Sequence, residues 1–235
     1  MTRFFVGTSG FAFKEWKGPF YPEKLPDAQM LSFYAGHFPA VELNNTFYRM
    51  PREKNLVEWA GQVPDDFRFA LKATQRITHH AQLNDVGELL GYLTQTYSAL
   101  GEKLGPTLFQ LPPFLRKDLS RLEDFLAALP KRWQTTIEFR HQSWLDDEHV
   151  IDVLRAHDAA LCITDQADLH TPLVATAGWG YLRLHAFDYD DVQLEEWARK
   201  LRQQPWTETY VFFKHDHGPG SGPPVADLLL KKLTA

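Results

Sequence analysis

Residues 135–144, TTIEFRHQSW, begin like a buried β-strand and end like a polar loop. The first half is rich in β-branched and aromatic residues, which are enriched in strands. Glu138 and Arg140 lie two positions apart in this half, so their side chains share one face of the strand. Because buried charges are costly unless they are paired, the stretch predicts a core strand that ends in a polar site.

Seven further runs of the same kind lie along the 235-residue chain, and amphipathic runs separate most of them. The predicted strands are residues 4–8, 40–44, 67–73, 107–111, 135–140, 160–165, 180–185 and 209–214. The predicted helices are residues 27–37, 52–62, 85–103, 118–129, 146–157, 190–203 and 225–233, and residues 166–179 show no clear helix. Alternating strands and helices imply parallel pairing through crossovers. Eight such units predict an α/β fold, a single-domain (β/α)8 TIM barrel over residues 1–235, with a doubly wound open sheet as the alternative.

The composition limits the binding partners and the cellular compartment that we expect for the protein. The chain has 25 Lys and Arg residues and 30 Asp and Glu residues, which gives a net charge of −5. This charge argues against binding to nucleic acid and to an anionic membrane surface. The single cysteine, Cys162, lies in an apolar run and predicts a buried thiol without a disulfide. The first ten residues resemble neither a signal peptide nor a membrane span, so we expect a cytoplasmic protein. The oligomeric state is left open.

Polar residues stand at or near the carboxyl end of every predicted strand. In a TIM barrel these ends form the functional site. Strand ends meet water, which explains part of this pattern, but the charged and apolar alternation in residues 183–185 indicates paired charges in a barrel mouth. In chain order these polar residues are Thr8, Ser9, Glu42, Asn44, Asn45, Tyr48, Lys72, Gln110, Glu138, Arg140, Asp165, Arg183, His185, Lys214, His215 and Asp216.

Several longer motifs carry a resemblance to a known family. They lie at residues 7–22 (GTSGFAFKEWKGPFYP), 41–51 (VELNNTFYRMP), 69–74 (FALKAT), 104–113 (LGPTLFQLPP), 137–144 (IEFRHQSW), 181–186 (YLRLHA) and 210–213 (YVFF). Across essentially the whole chain the sequence resembles the YecE-like family, also called the domain-of-unknown-function 72 family. The resemblance implies a TIM barrel and no firm activity. Lys214 and His215 stand where family members usually carry two asparagines, so no role is carried over to that position.

The leading hypothesis is general acid–base catalysis on a small anionic or polyhydroxylated molecule. Glu42 and Glu138 would transfer protons, with His185 as an acid or proton shuttle. Pairing with a cation would lower the pKa of either carboxyl group and oppose a role as general acid. The expected substrate-binding residues are Lys72, Arg140 and Arg183 for the anion, together with Asn45, Tyr48, Gln110, Trp144 and Asp165.

Three alternatives stay open at this point. The carboxylates resemble a glycosidase pair, and a sugar would stack on the aromatic residues Phe11, Trp16, Tyr21, Tyr48 and Trp144. A divalent metal held by Glu42, Glu138, Asp165 and His185 would make a hydrolase or isomerase of sugar-phosphate or nucleic-acid type; no other cofactor is predicted. A non-catalytic binding module is the third. Residues 215–224, HDHGPGSGPP, fit either a phosphate-binding loop or a simple turn.

Overall fold

The eight strands form one parallel sheet. A computed structural model describes residues 2–166, 169, 171–185, 189–214 and 222–234. The strands are β1 (Arg3–Thr8), β2 (Ala40–Leu43), β3 (Arg68–Lys72), β4 (Leu104–Gln110), β5 (Thr135–Glu138), β6 (Ala160–Thr164), β7 (Trp179–Leu184) and β8 (Glu208–Phe213). Each strand from β2 to β7 pairs with the next, and β8 pairs with β1, so the sheet curls round on itself. The (β/α)8 barrel is confirmed, and the open doubly wound sheet is wrong.

Helices follow most of the strands on the outside of the barrel. Within the described ranges they are α1 (Met30–Ala35), α2 (Glu53–Ala60), α3 (Gly87–Tyr97), α4 (Leu119–Ala127), α5 (Glu148–Ala156), α6 (Asp191–Arg202) and α7 (Pro223–Thr234). The described residues between β6 and β7 contain no helix, as the sequence pattern indicated. No helix in the described ranges is long and apolar enough to cross a membrane.

The predicted and observed element bounds differ most for the helix predicted over residues 85–103. The α-helix ends at Tyr97, and a 3-10 segment, Ser98–Lys103, leads directly into β4. Gly101 in this segment has φ 57°, a left-handed conformation that glycine adopts without steric cost and that breaks a helix. The strand that follows therefore begins at Leu104, three residues before the predicted start.

Two apolar clusters lie on either side of the sheet. The larger cluster packs the outward strand residues against the helices. The smaller one contains residues from the inward strand positions, among them Phe5, Ala40, Ala70, Leu108, Cys162, Tyr181 and Tyr210. The thiol of Cys162 is buried and free, as predicted, and burial raises its pKa. The barrel interior is thus a packed apolar plug, and a ligand has access only at its ends.

β1 and β2 close the barrel through a side chain rather than a regular ladder. The hydroxyl of Tyr34 on α1 accepts a hydrogen bond from the Thr8 backbone N–H at 2.8 Å and donates one to the Ala40 carbonyl at 3.1 Å. Gly7 permits this close approach, because a Cβ there would lie 2.0 Å from the Ala40 oxygen. One parallel bridge, between Ser9 and Glu42, joins the strands beyond the tyrosine.

We expect Tyr34→Phe to lower the free energy of unfolding by about 1–3 kcal/mol, because the buried Thr8 N–H loses its partner. Urea denaturation measures this change. The matched control is Tyr92→Phe, since Tyr92 is exposed on α3 and its substitution should leave stability unchanged. Equal stability of the two variants would show that the hydroxyl bridge does not stabilise the closure.

Candidate functional site

The charged residues occupy the inward layer directly above the apolar plug. Side chains two positions apart in a strand face the same way. In five of the strands, the inward residue of the plug is followed, two positions later, by a polar one at the carboxyl end of the strand. The pairs include Ala40 and Glu42, Ala70 and Lys72, Leu108 and Gln110, Thr136 and Glu138, and Tyr181 and Arg183.

Arg183 stands at the centre of this layer and binds two carboxylates that come from separate strands. Its Nε and one terminal nitrogen each lie 3.0 Å from oxygens of Glu42, on β2. Its other terminal nitrogen lies 2.8 Å from Oε2 of Glu138, on β5. The side chain of Arg183 is 5% exposed, and the two carboxylates are 0% and 1% exposed. The guanidinium thus spans the barrel between β2 and β5.

Glu42 is fully enclosed by hydrogen-bond donors. Ser9 Oγ donates to it at 2.6 Å, the Tyr181 hydroxyl at 2.7 Å and Asn44 Nδ2 at 3.0 Å. Burial by itself would raise the pKa of Glu42, but the charge of Arg183 and these donors outweigh burial and lower it. Glu42 is therefore a carboxylate at neutral pH, with every oxygen in use.

Glu138 is held in the same way from the other side of Arg183. Gln110 Nε2 donates to Oε2 at 3.0 Å, and the guanidinium of Arg140 contacts Oε1. Burial opposes ionisation here too, but Arg183 and Arg140 dominate and lower the pKa of Glu138 from 4.5 to about 2. Neither carboxyl group holds a proton that it can donate near neutral pH.

Lys72 is the titratable group at the partly exposed edge of the network. Its Nζ donates to Gln110 Oε1 at 2.8 Å and lies 4.1 Å from the ring centroid of Phe47. Burial, and next the charge of Arg183, lower the pKa of Lys72 to about 8. This amine therefore changes protonation close to neutral pH.

His185 follows β7 and joins the network through an amide that sequence analysis did not single out. Its Nδ1 contacts Gln166 Nε2, and Gln166 Oε1 accepts from Arg140 at 2.8 Å. Asp165 accepts from the His185 backbone N–H at 2.6 Å and contacts the Tyr189 hydroxyl. Burial and then Arg183 lower the pKa of His185 to about 4, so its imidazole is neutral at pH 7.

A groove of about 380 Å³ opens beside Glu42, at the ends of β1 and β2. Asn45 and Tyr48, both predicted to bind substrate, line it. Phe11 and Trp59 contribute aromatic surface, and Tyr48 is 75% exposed. Other lining residues, Ser9 and Asn44, are the ones that hydrogen-bond Glu42, so the groove adjoins the charged network.

Trp144 lies apart from the predicted site. Its side chain is fully buried, stacks on Phe139 at 4.8 Å between ring centroids, and donates from Nε1 to the Leu115 carbonyl at 2.8 Å. This placement gives it a packing role and does not support substrate contact. Trp16 and Tyr21 are also fully buried, so of the expected stacking residues only Phe11 and Tyr48 line the groove.

The four residues weighed as metal ligands do not gather around a common point. Among the described residues, no group of three or more His, Cys, Asp and Glu side chains is placed to hold a metal ion. Arg183 already binds Glu42 and Glu138. A metal ion at these carboxylates would therefore have to displace the guanidinium of Arg183. His215, Asp216 and the other residues through 221, which the sequence left open between a phosphate-binding loop and a simple turn, lie outside the described residues.

Two residues that contact the predicted site residues were not predicted themselves, although the sequence pattern contains a signal for them. Tyr181 lies two residues before Arg183 in β7, so the period-two argument places both on the inward face. Gln166 directly follows Asp165, a polar position just past β6. By contrast, the position of Phe47 under Lys72 depends on how the 3-10 segment Asn45–Phe47 packs, which no local pattern reports.

The fold and this mouth together define a TIM-barrel protein with a charged site at the carboxyl ends of its strands. A family model described as "Protein of unknown function DUF72" matches residues 5–235. The chain belongs to the DUF72 family.

Relatives and solved structures agree with this membership. The chain is 28% identical to the UPF0759 protein YecE of Escherichia coli K12, over 86% of this chain and 85% of that one. It is 24% identical to the UPF0759 protein YunF of Bacillus subtilis 168, over 84% of each chain. A DUF72 family crystal structure from Thermotoga maritima superposes with a TM-score of 0.88 at 28% identity, covering 99% of this chain and 100% of that chain.

We expect Glu138→Gln to lower the free energy of unfolding at pH 7 by about 3–5 kcal/mol, because Arg183 and Arg140 lose a buried counter-charge. The folded-state pKa of Glu138 lies below its usual value. Its contribution to stability is therefore complete above about pH 4.5 and disappears as pH falls toward about 2. Urea denaturation over a pH series should show the difference between wild type and variant shrinking in that window.

The matched control is Glu196→Gln, which removes a carboxylate from an exposed ion pair with Lys200 on α6 and should change stability little. A stability difference for Glu138→Gln that stays constant from pH 7 to pH 3 would contradict the assigned ionisation.

Proposed function

We propose that this protein is an enzyme that binds a small anionic or polyhydroxylated molecule at the carboxyl ends of the strands and transfers protons there. One observation carries the proposal. Glu42 and Glu138 form their ion pairs with Arg183 and Arg140, whereas Lys72 forms no ion pair with any described residue, so a protonated Lys72 adds a positive charge that no described carboxylate pairs with. A pocket with that charge suits an anion even though the whole chain is acidic.

Arg140 is the residue best placed to contact an anion. Its side chain is 25% exposed, whereas that of Arg183 is almost completely buried between its two carboxylates. The Nε of Arg140 is also buried without a hydrogen-bond partner in the described part of the chain, and so are His185 Nε2 and Asn44 Oδ1. Buried polar atoms are normally satisfied, and a polar ligand at the mouth would satisfy atoms of this kind.

The pKa shifts assign different roles to the three predicted catalytic residues. Glu42 and Glu138 are held ionised, which favours electrostatic and positioning roles over proton donation. His185 is neutral and accepts a hydrogen bond from Gln166 at Nδ1, so its proton lies on the unpartnered Nε2, which suits a hydrogen-bond donor to a ligand. Lys72, with a pKa of about 8, is the group in the mouth that best suits proton exchange near pH 7.

The groove beside Glu42 supports the polyhydroxylated part of the proposal. Aromatic faces such as those of Phe11 and Tyr48 pack against the apolar face of a sugar-like ring, and the amide of Asn45 hydrogen-bonds hydroxyl groups. Because the groove adjoins the network, one small molecule with an anionic group and a hydroxylated body would contact both.

A non-catalytic binding module is the second candidate, and the locked carboxylates favour it. Glu42 and Glu138 have the character of a rigid structural ion-pair network rather than of an acid–base pair with separated pKa values. Such a protein would bind the same anions as the enzyme without converting them, so measurements of turnover on bound ligands separate the two candidates.

We expect Arg140→Met to weaken anion binding by about 10–100-fold, the loss of one or two charge-assisted hydrogen bonds. The measurement is isothermal titration calorimetry with phosphate, sugar phosphates, sugar acids and the corresponding neutral sugars. Arg155→Met is the control, because Arg155 pairs with Asp152 on the outer helix α5. Wild-type protein that prefers the neutral sugars, or equal affinities of the two variants, would contradict an anion site at Arg140.

A further inference from the structure

The Nζ atom of Lys72 has fewer partners than that of a lysine with a structural role. Its Nζ has one hydrogen-bond partner among the described residues, the neutral amide oxygen of Gln110, and forms no ion pair with any of them. Lys103 shows the contrasting arrangement: its Nζ donates to the Ala60 and Val63 carbonyls, each at 2.8 Å, and lies 3.2 Å from a carboxylate oxygen of Asp65. Three acceptors require an ammonium group, whereas one amide oxygen also accepts from a neutral amine.

The charged groups described around Lys72 include no carboxylate that forms an ion pair with its amine. Arg183 lies between the two nearby carboxylates and binds both, so their charge is largely compensated. Burial, Arg183 and Arg140 favour the neutral amine. The carboxylates and the ring face of Phe47 favour the ammonium. The groups that face Lys72 are Glu42 from β2, Glu138 and Arg140 from β5 and its extension, Arg183 from β7, and His79 from the turn after β3.

These opposing effects leave part of the Lys72 amine in its neutral, nucleophilic form at pH 7. With a pKa of about 8, roughly a tenth of Lys72 is neutral at pH 7, far more than for a lysine with its usual pKa of 10.5. A neutral amine in a partly buried site under the influence of nearby guanidinium groups is a nucleophile, as are other desolvated lysines next to cations. Arg140, on the strand extension beyond β5, would hold an anionic group of the molecule that the amine attacks.

We propose that Lys72 forms a covalent imine with a small anionic carbonyl compound, such as a 2-oxo acid or a phosphorylated aldehyde or ketone. This inference rests on the proposed function, because anion binding at the mouth brings the carbonyl group to the amine. It narrows the substrate class to molecules that carry both an anionic group and a carbonyl group.

The step balances without a cofactor. The neutral Nζ attacks the carbonyl carbon, the C–N bond forms, and a proton passes from the nitrogen to the carbonyl oxygen to give a carbinolamine. The C–O bond then breaks, and the hydroxyl group takes one further proton and leaves as water. The product is a protonated imine, whose positive charge withdraws electrons from the neighbouring carbon and makes its C–H or C–C bond easier to break.

The experiment traps this imine on the intact protein. Wild-type protein is incubated at pH 7 with pyruvate, glyoxylate or glycolaldehyde phosphate and sodium cyanoborohydride, and the reduced adducts are located by peptide mass spectrometry. We expect Lys72 to be labelled at least about tenfold faster than Lys103 or the exposed Lys54, because burial and the charge of Arg183 lower the pKa of Lys72. Neutral glycolaldehyde should label Lys72 more slowly than its phosphate ester does.

Two variants distinguish a loss of imine formation from a general disturbance of the fold. Lys72→Arg keeps the cation but cannot form an imine, so its adduct should disappear while phosphate binding measured by calorimetry is retained. Lys103→Arg should leave labelling of Lys72 unchanged. The labelling rate of Lys72 in the wild type should rise through about pH 8, well below the range where an ordinary lysine loses its proton.

The outcomes also distinguish the two proposals. Labelling of Lys72 no faster than that of Lys54, together with anion binding that depends on Arg140, overturns the imine and leaves the anion site standing. An absence of both anion binding and selective labelling overturns both. Equal labelling by charged and neutral aldehydes overturns the assignment of an anionic substrate.

Discussion

The guanidinium of Arg183, buried between Glu42 and Glu138, is the interaction on which the rest of the site depends. Each of these charges alone would be too costly to bury, and a single missing partner would leave an uncompensated charge inside the barrel. Because the three residues come from β7, β2 and β5, the ion pairs also connect strands that are not neighbours in the sheet. The site and the geometry of the barrel mouth are therefore stabilised by the same contacts.

The pairing also decides what the surrounding residues can do. Because its N–H donors are taken by two carboxylates, Arg183 acts on the rest of the mouth mainly through its charge. Burial and then this charge lower the pKa of both Lys72 and His185. Its neighbour Arg140 keeps an exposed face. The mouth thus contains a neutral imidazole, an amine near its titration point and an accessible guanidinium, a set that suits the recognition and activation of an anionic molecule.

Much of the fold and part of the site could be predicted from residue patterns. The alternation of strands with amphipathic helices predicted the barrel, because buried parallel strands and covering helices have different periods of apolar residues. The rule that barrel sites lie at strand ends identified Glu42, Glu138 and Arg183, which the structure brings together. The same rule selected Trp144, which the structure packs against Phe139, because the rule uses closeness to a strand end and not the direction of a side chain.

The sequence by itself determined the order of the strands and helices, the inward phase of each strand and the set of polar residues at its end. These follow from local stereochemistry, in which side chains alternate along a strand and recur every 3.6 residues along a helix. Only the tertiary structure decided that Arg183 takes both carboxylates, that Lys72 has no counter-ion among the described residues and that the Tyr34 hydroxyl closes the barrel between β1 and β2. Those outcomes depend on distances between residues far apart in the chain, and the pKa of a buried group depends on such distances and on how much water the packing removes.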